Sequence, residues 1–145
     1  MRICAYLNFK GNALEAMTFY SGIFRNKPEY MTYAEMPPNP EFPVTEAMKK
    51  MVLHGEFFID KEQSIMIGDD LRPGESVMGN AVSLALMLDD EAEQRRIFTA
   101  LAEGGTVLMP LGETFWSASF GSLADRFGVT WHLNLCKEPP VKAKT

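Results

Sequence analysis

The sequence has little of several residue types on which common function classes depend. Its 145 residues include only two cysteines, Cys4 and Cys136, which are too few and too far apart for a disulfide framework. Both lie in apolar strand-like runs, so we expect buried, reduced thiols. No Ser-His-Asp ordering, phosphate-binding glycine loop or Cys-x-x-Cys pair occurs, so nothing supports hydrolase, nucleotide-binding or zinc-ribbon functions.

Basic residues and long apolar runs are also scarce. Lys and Arg total 14 against 19 Asp and Glu, and this net charge of −5 argues against a nucleic-acid partner. Charged or turn residues interrupt every apolar run before the roughly 20 residues that span a bilayer. The N-terminus has no apolar segment followed by a cleavage site. We therefore expect a cytoplasmic protein with no membrane partner.

The composition that is present is that of a globular protein. Hydrophobic residues make up 46% and charged residues 23% of the chain. The length suits one domain over 1–145 with a packed core. Two prolines and three lysines mark residues 137–145 as a frayed tail.

The order of predicted elements repeats along the chain. Apolar residues recur at spacings of three and four from Ala13 to Phe24, which predicts a helix after a first strand. A shift of 78 positions (98 minus 20) places Ile97-Phe98 on Phe19-Tyr20 and Asp90 on Asn12. We infer an internal duplication in an α+β fold, with module one at about 1–70, a linker over Asp69 to Gly79 and module two at about 80–136. The predicted strands are Ile3 to Phe9, Tyr30 to Met36, Val52 to Ile59, Ser64 to Ile67, Ala81 to Leu88, Thr106 to Met109, Phe115 to Phe120 and Val129 to Leu135.

Two motifs carry a resemblance to a known family. The first is Tyr6-Leu7-Asn8-Phe9-Lys10-Gly11-Asn12-Ala13 leading into a helix with Phe19-Tyr20, and the second is Asp125-Arg126-Phe127-Gly128-Val129-Thr130-Trp131. With the duplication between them, the chain resembles the PhnB-like branch of the glyoxalase / bleomycin-resistance / extradiol-dioxygenase (vicinal oxygen chelate) superfamily. The resemblance implies two βαβββ modules with curved mixed sheets, a concave ligand surface and a homodimer.

The resemblance also directs attention to metal positions. Members of this superfamily commonly hold a divalent metal with His, Glu or Gln, and those positions fall here on Ala5, near Met66 to Gly68, on Ser83 and on His132. Only His132 is a credible ligand, and one His cannot anchor such a metal. We expect no metal cofactor, which argues against glyoxalase or dioxygenase chemistry. No glycine-rich strand-to-helix loop is present for S-adenosylmethionine, so methyl transfer is not predicted either.

Candidate ligand contacts lie in the predicted strands. His132 and Asn134 are two apart, so they share one face and predict a polar pair in a pocket. Trp116 alternates with serines, which predicts an aromatic strand face able to stack on a flat ligand. Tyr6 and Ser83 complete the predicted ligand-binding set of His132, Asn134, Trp116, Tyr6 and Ser83.

Carboxylates and the second histidine leave an alternative open. His54 and Glu56 share a strand face and would make a rearranged metal set with His132. The acidic pairs Asp69-Asp70 and Asp89-Asp90 are interpreted as helix and turn caps.

Three hypotheses follow from these residues. The first is a small-molecule binding protein, or an enzyme of unknown reaction, without the usual metal. The second is a divalent-metal-dependent lyase, isomerase or dioxygenase. The third is a dimerising module without a working pocket.

Overall fold

A computed structural model describes residues 1–136 of the chain, and the predicted tail 137–145 lies outside them. The chain divides into two compact units between Val77 and Met78. The first contains β1 (Tyr6–Phe9), α1 (Ala13–Phe24), β2 (Glu29–Thr32), a 3-10 turn (Tyr33–Glu35), β3 (Val52–Phe58) and β4 (Ser64–Asp69); the second contains β5 (Leu84–Leu88), α2 (Glu91–Ala102), β6 (Thr106–Gly112), β7 (Ser119–Ala124) and β8 (Thr130–Leu135).

The first unit is a four-stranded mixed sheet with one covered face. Its strand order is β1-β4-β3-β2, with β1 parallel to β4 and the other pairs antiparallel. Helix α1 packs on the sheet through Tyr20 and Phe24, both of which stack on Phe57. The Tyr20 and Phe57 ring centroids are 4.7 Å apart and both residues are fully buried. Helix α1 therefore covers one face of this sheet and leaves the opposite face without a helix.

The second unit repeats this arrangement. Its order is β5-β8-β7-β6, with β5 parallel to β8. Helix α2 buries Ile97, Phe98 and Leu101, and the sheet face that contributes to the core carries Trp131 and Leu133. The βαβββ order and the mixed sheets are confirmed, and the curvature of the sheets stays a prediction.

A buried carboxylate organises each unit. Asp69, only 3% exposed at the end of β4, accepts hydrogen bonds from the backbone N–H groups of Gly11 (2.6 Å), Ala13 (3.1 Å) and Val52 (2.8 Å). It therefore caps the start of α1 from a distant strand, whereas Asn12 makes no side-chain cap. A carboxylate at this end of a helix also interacts favourably with the helix dipole.

Asp125 plays the corresponding part in the second unit. It accepts from the backbone N–H of Phe127 (2.9 Å) and Val129 (3.1 Å) and from the indole Nε1–H of Trp131 (2.9 Å). Gly128 has a φ of +84°, a conformation that glycine adopts without a Cβ penalty. The closing motif that carried the resemblance is therefore a structural turn between β7 and β8.

The helices of the two units keep the predicted spacing. Ala13 and Glu91 begin α1 and α2, and Phe24 and Ala102 end them, at the same shift of 78 positions. The prediction that Asp90 caps α2 is confirmed, because its side chain accepts from the N–H of Glu93 at 2.9 Å.

Several predicted boundaries and environments are wrong. The strand expected to begin at Tyr30 runs from Glu29 to Thr32, because Thr32 and Glu35 form a capping box that starts a 3-10 turn. Asp69 is a buried strand residue rather than the start of a linker. Both cysteines are free, but each is half-buried rather than buried.

The expected strand from Phe115 to Phe120 is also wrong. The backbone N–H of Thr114 donates to the carbonyl of Ser117 at 3.1 Å, and the backbone N–H of Ser117 donates to the hydroxyl of Thr114 at 3.0 Å. These two hydrogen bonds form a turn. Serine and threonine side chains compete with strand pairing in this way. Trp116 consequently lies in the turn that precedes β7, which begins at Ser119.

Candidate functional site

The open face of the first sheet is formed by two rows of residues. Strand register places Tyr6 opposite Met66, Met66 opposite Glu56 and Glu56 opposite Glu29. Residues opposite each other on neighbouring strands project to the same face. In the second row, register pairs Asn8 with Gly68 and Met31 with His54.

A tyrosine and a histidine meet above a glycine on this face. The Oη of Tyr6 lies 3.4 Å from Nδ1 of His54, and the two ring centroids are 5.7 Å apart. Strand β4 separates the strands that carry these residues. A Cβ on Gly68 would stand only 2.7 Å from the Tyr6 Oη, so the missing side chain leaves the path of the phenol open. Burial raises the pKa of Tyr6 above its ordinary value of 10.0.

The open face of the second sheet is also built from two rows. One row contains Ala85, His132, Ser122 and Met109, and the other contains Met87, Asn134, Phe120 and Gly112. The predicted pairing of His132 with Asn134 on one face is confirmed, because the intervening Leu133 is fully buried.

A row of aromatic side chains in successive contact connects the exposed Phe115 with His132 on this face. Phe115 contacts Trp116 with ring centroids 4.7 Å apart, Trp116 contacts Phe120 at 5.6 Å, and Phe120 contacts the His132 ring at 5.5 Å. Trp116 is 56% exposed and Phe115 is 98% exposed. Exposed aromatic groups in a continuous arrangement are typical of binding surfaces rather than of cores.

The amide of Asn134 is poorly satisfied. Its Nδ2 reaches only the sulfur atoms of Met87 (3.9 Å) and Cys136 (4.0 Å), and its Oδ1 is shielded from solvent without a hydrogen-bond partner among residues 1–136. Sulfur is a weak acceptor. An unsatisfied buried acceptor costs about 1–3 kcal/mol, which a suitably placed donor would recover.

The structure places the five predicted ligand residues in two groups. His132, Asn134 and Trp116 belong to the second unit, as does Ser83, which directly precedes β5, whereas Tyr6 belongs to the first. Their binding roles stay predictions. The sequence did not single out Phe120 as the link between Trp116 and His132, or Gly68 as the residue beneath Tyr6. Both features depend on which residues face each other across strands.

The residues at the metal positions do not fit a divalent ion. Ala5 offers a methyl group, Met66 a thioether, Gly68 no side chain and Ser83 a neutral hydroxyl, none of which replaces imidazole or carboxylate. No group of three His, Cys, Asp or Glu in the described part of the chain has metal-binding geometry. The alternative set divides between the units, with His54 and Glu56 in the first and His132 in the second.

Two clefts are lined mainly by residues outside these rows. One of about 440 Å³ lies beside α2 and is lined by Glu91, Arg95 and Glu113 among others. The other, about 400 Å³, is formed by the proline-rich loop around Tyr33 and Phe42. None of the predicted ligand residues lines either cleft.

Comparisons with known proteins agree with this architecture. A family model described as 3-demethylubiquinone-9 3-methyltransferase matches residues 1–134. Protein YjdN of Escherichia coli (strain K12) is 28% identical over 149 residues, which cover 98% of this chain and 100% of YjdN.

Solved structures extend the comparison. Protein PA1353 from Pseudomonas aeruginosa is 37% identical, with a TM-score of 0.76 over 93% of this chain and 97% of that one. The PhnB protein from Bacillus cereus is 32% identical, with a TM-score of 0.74 over 94% and 100%. A glyoxylase/bleomycin resistance protein/dioxygenase domain from Frankia sp. EAN1pec, 10% identical, shares the fold with a TM-score of 0.65 over 94% and 98%.

The two βαβββ modules have the fold of the glyoxylase/bleomycin resistance protein/dioxygenase domain. The chain belongs to the PhnB-like family whose model is described as 3-demethylubiquinone-9 3-methyltransferase. The resemblance drawn from the two motifs is thus confirmed. Among the described residues, none of the helices has the length and apolar character required to cross a membrane.

Proposed function

We propose that this protein binds a small, flat, largely apolar molecule on the open face of its second sheet. The observation that carries the proposal is the aromatic row from Phe115 through Trp116 and Phe120 to the ring of His132. Aromatic pairs contribute about 0.5–1.5 kcal/mol beyond the area that they bury. A flat ring laid against Trp116 would gain such contacts and cover apolar surface that is now exposed.

Polar groups at the inner end of the row would orient the ligand. His132 can donate or accept a hydrogen bond through its ring nitrogens, and the Oδ1 of Asn134 has no hydrogen-bond partner among residues 1–136. A ring with a carbonyl or hydroxyl group at one edge therefore matches this face best. In a mostly apolar site, a small number of polar groups fixes the orientation of the ligand, and the apolar contacts supply most of the affinity.

The description of the family fits this ligand class in one respect and not in another. It names 3-demethylubiquinone, whose flat ring carries oxygen atoms. It also names a methyl transfer, but the connections between strand and helix are Lys10-Gly11-Asn12 and Asp89-Asp90, neither of which is a glycine-rich loop. We therefore propose binding of a flat oxygenated ring without methyl transfer.

Isothermal titration with coumarin, a flat neutral ring bearing a carbonyl, tests the proposal. Trp116→Ala and His132→Ala should each weaken binding, by roughly tenfold for the tryptophan. Two matched controls come from the first unit: Tyr30→Ala removes another exposed aromatic ring and His54→Ala removes the other histidine. Both controls should bind coumarin as the unchanged protein does.

Two results would overturn the proposal. One is equal loss of affinity in the control and test variants. The other is absence of binding by coumarin and by a panel of similar flat rings, which would favour the third hypothesis, a dimerising module without a working pocket.

A further inference from the structure

We infer that Met87 regulates the site proposed above, because oxidation of its sulfur by a peroxide weakens ligand binding on the open face of the second sheet. This role rests on the proposed function and adds a control to it. Oxidation converts the apolar side chain of methionine into a polar sulfoxide, and methionine sulfoxide reductases reverse the change. The residue would therefore act as a reversible switch.

Met87 lies open to solvent beside an amide of the proposed site. It is 57% exposed in β5, and strand register places it directly opposite Asn134 on β8. Asn134 lies opposite Phe120, whose ring contacts that of His132. A peroxide in solution thus reaches the side chain of Met87 without any opening of the core, and the oxidised product lies within the site.

The amide of Asn134 donates only to sulfur atoms among residues 1–136. Its Nδ2 lies 3.9 Å from Sδ of Met87 and 4.0 Å from Sγ of Cys136. Sulfur is a weak acceptor, whereas an N–H···O hydrogen bond is about 2.7–3.2 Å long and stronger. The amide can therefore exchange these weak bonds for one to the oxygen of a ligand on this face.

Oxidation of Met87 places a strong acceptor next to the same amide. With hydrogen peroxide, a lone pair of the sulfur attacks one oxygen, and an S–O bond forms as the O–O bond breaks. The other oxygen takes up the proton of the first and leaves as water, so the sulfur is oxidised and the peroxide reduced. Because the new oxygen lies one bond beyond a sulfur that is 3.9 Å from Nδ2, it can approach to an ordinary hydrogen-bond length.

The sulfoxide then competes with the ligand for the amide. Once Nδ2 of Asn134 donates to the sulfoxide oxygen, the carbonyl of a ligand loses that donor. The net contribution of one hydrogen bond corresponds to a roughly three- to tenfold change in affinity. Oxidation of Met87 should therefore weaken the binding of coumarin by this factor.

The new hydrogen bond is tested first without a ligand. The protein is treated with hydrogen peroxide, and mass spectrometry of its peptides follows the addition of oxygen to Met87. The side-chain NH₂ resonances of Asn134 in a ¹H–¹⁵N spectrum should shift as Met87 is converted and return after treatment with a methionine sulfoxide reductase. In Met87→Leu, the same peroxide treatment should leave these resonances in place.

Coumarin titration then measures the effect on the site. The unchanged protein should lose affinity by roughly three- to tenfold after peroxide, while Met87→Leu should keep the affinity that it has before peroxide. Met31→Leu removes a methionine of similar exposure, 48%, from the first unit and should respond to peroxide as the unchanged protein does. Cys136→Ala should also respond, since the sulfoxide rather than the thiol binds the amide.

A further variant imitates the oxidised state without peroxide. Met87→Gln carries its carbonyl oxygen on the atom that corresponds to the sulfur, so it should bind coumarin roughly three- to tenfold more weakly than Met87→Leu. In an Asn134→Ala background most of that difference should disappear, because no amide is left to bind the added oxygen. Oxidation of other methionines cannot produce this result.

Three results would each overturn the inference. They are unmoved Asn134 resonances when Met87 is oxidised, equal coumarin affinity before and after peroxide, and a loss of affinity after peroxide that Met87→Leu retains. Absence of coumarin binding before any peroxide is added would overturn the proposed function and its regulation together, so the two failures are distinguished.

Discussion

Replacement of Asp69 tests how the first unit is held together. In Asp69→Ala, the backbone N–H groups of Gly11, Ala13 and Val52 all lose their acceptor. The hydrogen bonds of Ala13 and Val52 are buried, whereas that of Gly11 is only partly buried and its N–H can turn to water. Each buried unsatisfied donor costs about 1–3 kcal/mol, so the free energy of unfolding should fall by about 2–6 kcal/mol in Asp69→Ala. That is a large share of the roughly 5–15 kcal/mol that stabilises a typical domain.

Urea unfolding followed by circular dichroism measures this loss. Asp69→Asn keeps one carbonyl oxygen as an acceptor, so its free energy of unfolding should fall less than that of Asp69→Ala. Glu75→Ala, which removes an exposed carboxylate after β4, serves as the control and should change the free energy of unfolding by no more than about 0.5 kcal/mol. A loss below about 1 kcal/mol in Asp69→Ala would refute the view that this carboxylate caps α1 and fixes the start of β3.

Three further predictions concern stability. Burial, with the nearby charge of Asp69 as a lesser cause, raises the pKa of Tyr33 above 10.0. The neutral phenol therefore stabilises the folded state at neutral pH, and this stabilisation is lost as pH rises through the folded-state pKa. The amount by which the free energy of unfolding of the unchanged protein exceeds that of Tyr33→Phe should accordingly shrink above pH 10 in urea unfolding. Gly22→Ala should stabilise α1 by about 0.5–1 kcal/mol in urea unfolding, since among residues 1–136 no atom beyond the helix backbone and the two neighbouring residues lies within 4 Å of the new Cβ. Gly121→Ala should destabilise by about 1–3 kcal/mol in the same assay, because its Cβ would meet Leu111 and Phe98 at 2.9 Å; reversed signs for the two glycines would contradict these reasons.

Local patterns predicted much of the fold. Helix α1 was placed at Ala13 to Phe24 from spacing alone, because the same apolar stripe that defines the pattern packs against Phe57. The shift of 78 positions located α2 correctly for the same reason. The cap at Asp90 was also local, since it acts on a residue three positions away.

Features that depend on distant contacts were not predictable in this way. Asp69 caps a helix 56 residues earlier in the chain, so no window around Asn12 contains that signal. The contact of Tyr6 with His54 needs both the strand order and the missing side chain of Gly68. Trp116 was placed in a strand because its alternation with serines resembles one, whereas Thr114 and Ser117 form a turn around it.

Several predictions from the resemblance remain to be measured. The homodimer and the cytoplasmic location stay predictions, and light scattering of the purified protein checks the first. The absence of a metal cofactor is checked by elemental analysis of protein purified without a chelator or a histidine tag. One equivalent of metal that is lost in His132→Ala would contradict the binding function proposed here.

The two tryptophans offer the most direct test of the central claim. Trp131 is fully buried and donates its indole N–H to Asp125, whereas Trp116 is 56% exposed on the proposed binding face. A ¹H–¹⁵N spectrum should therefore show two indole resonances, of which Trp116→Phe removes one. Titration with coumarin should move the Trp116 resonance progressively to saturation and leave that of Trp131 nearly still. Saturable binding that moves neither resonance, or only that of Trp131, would contradict the assignment of this face as the ligand site.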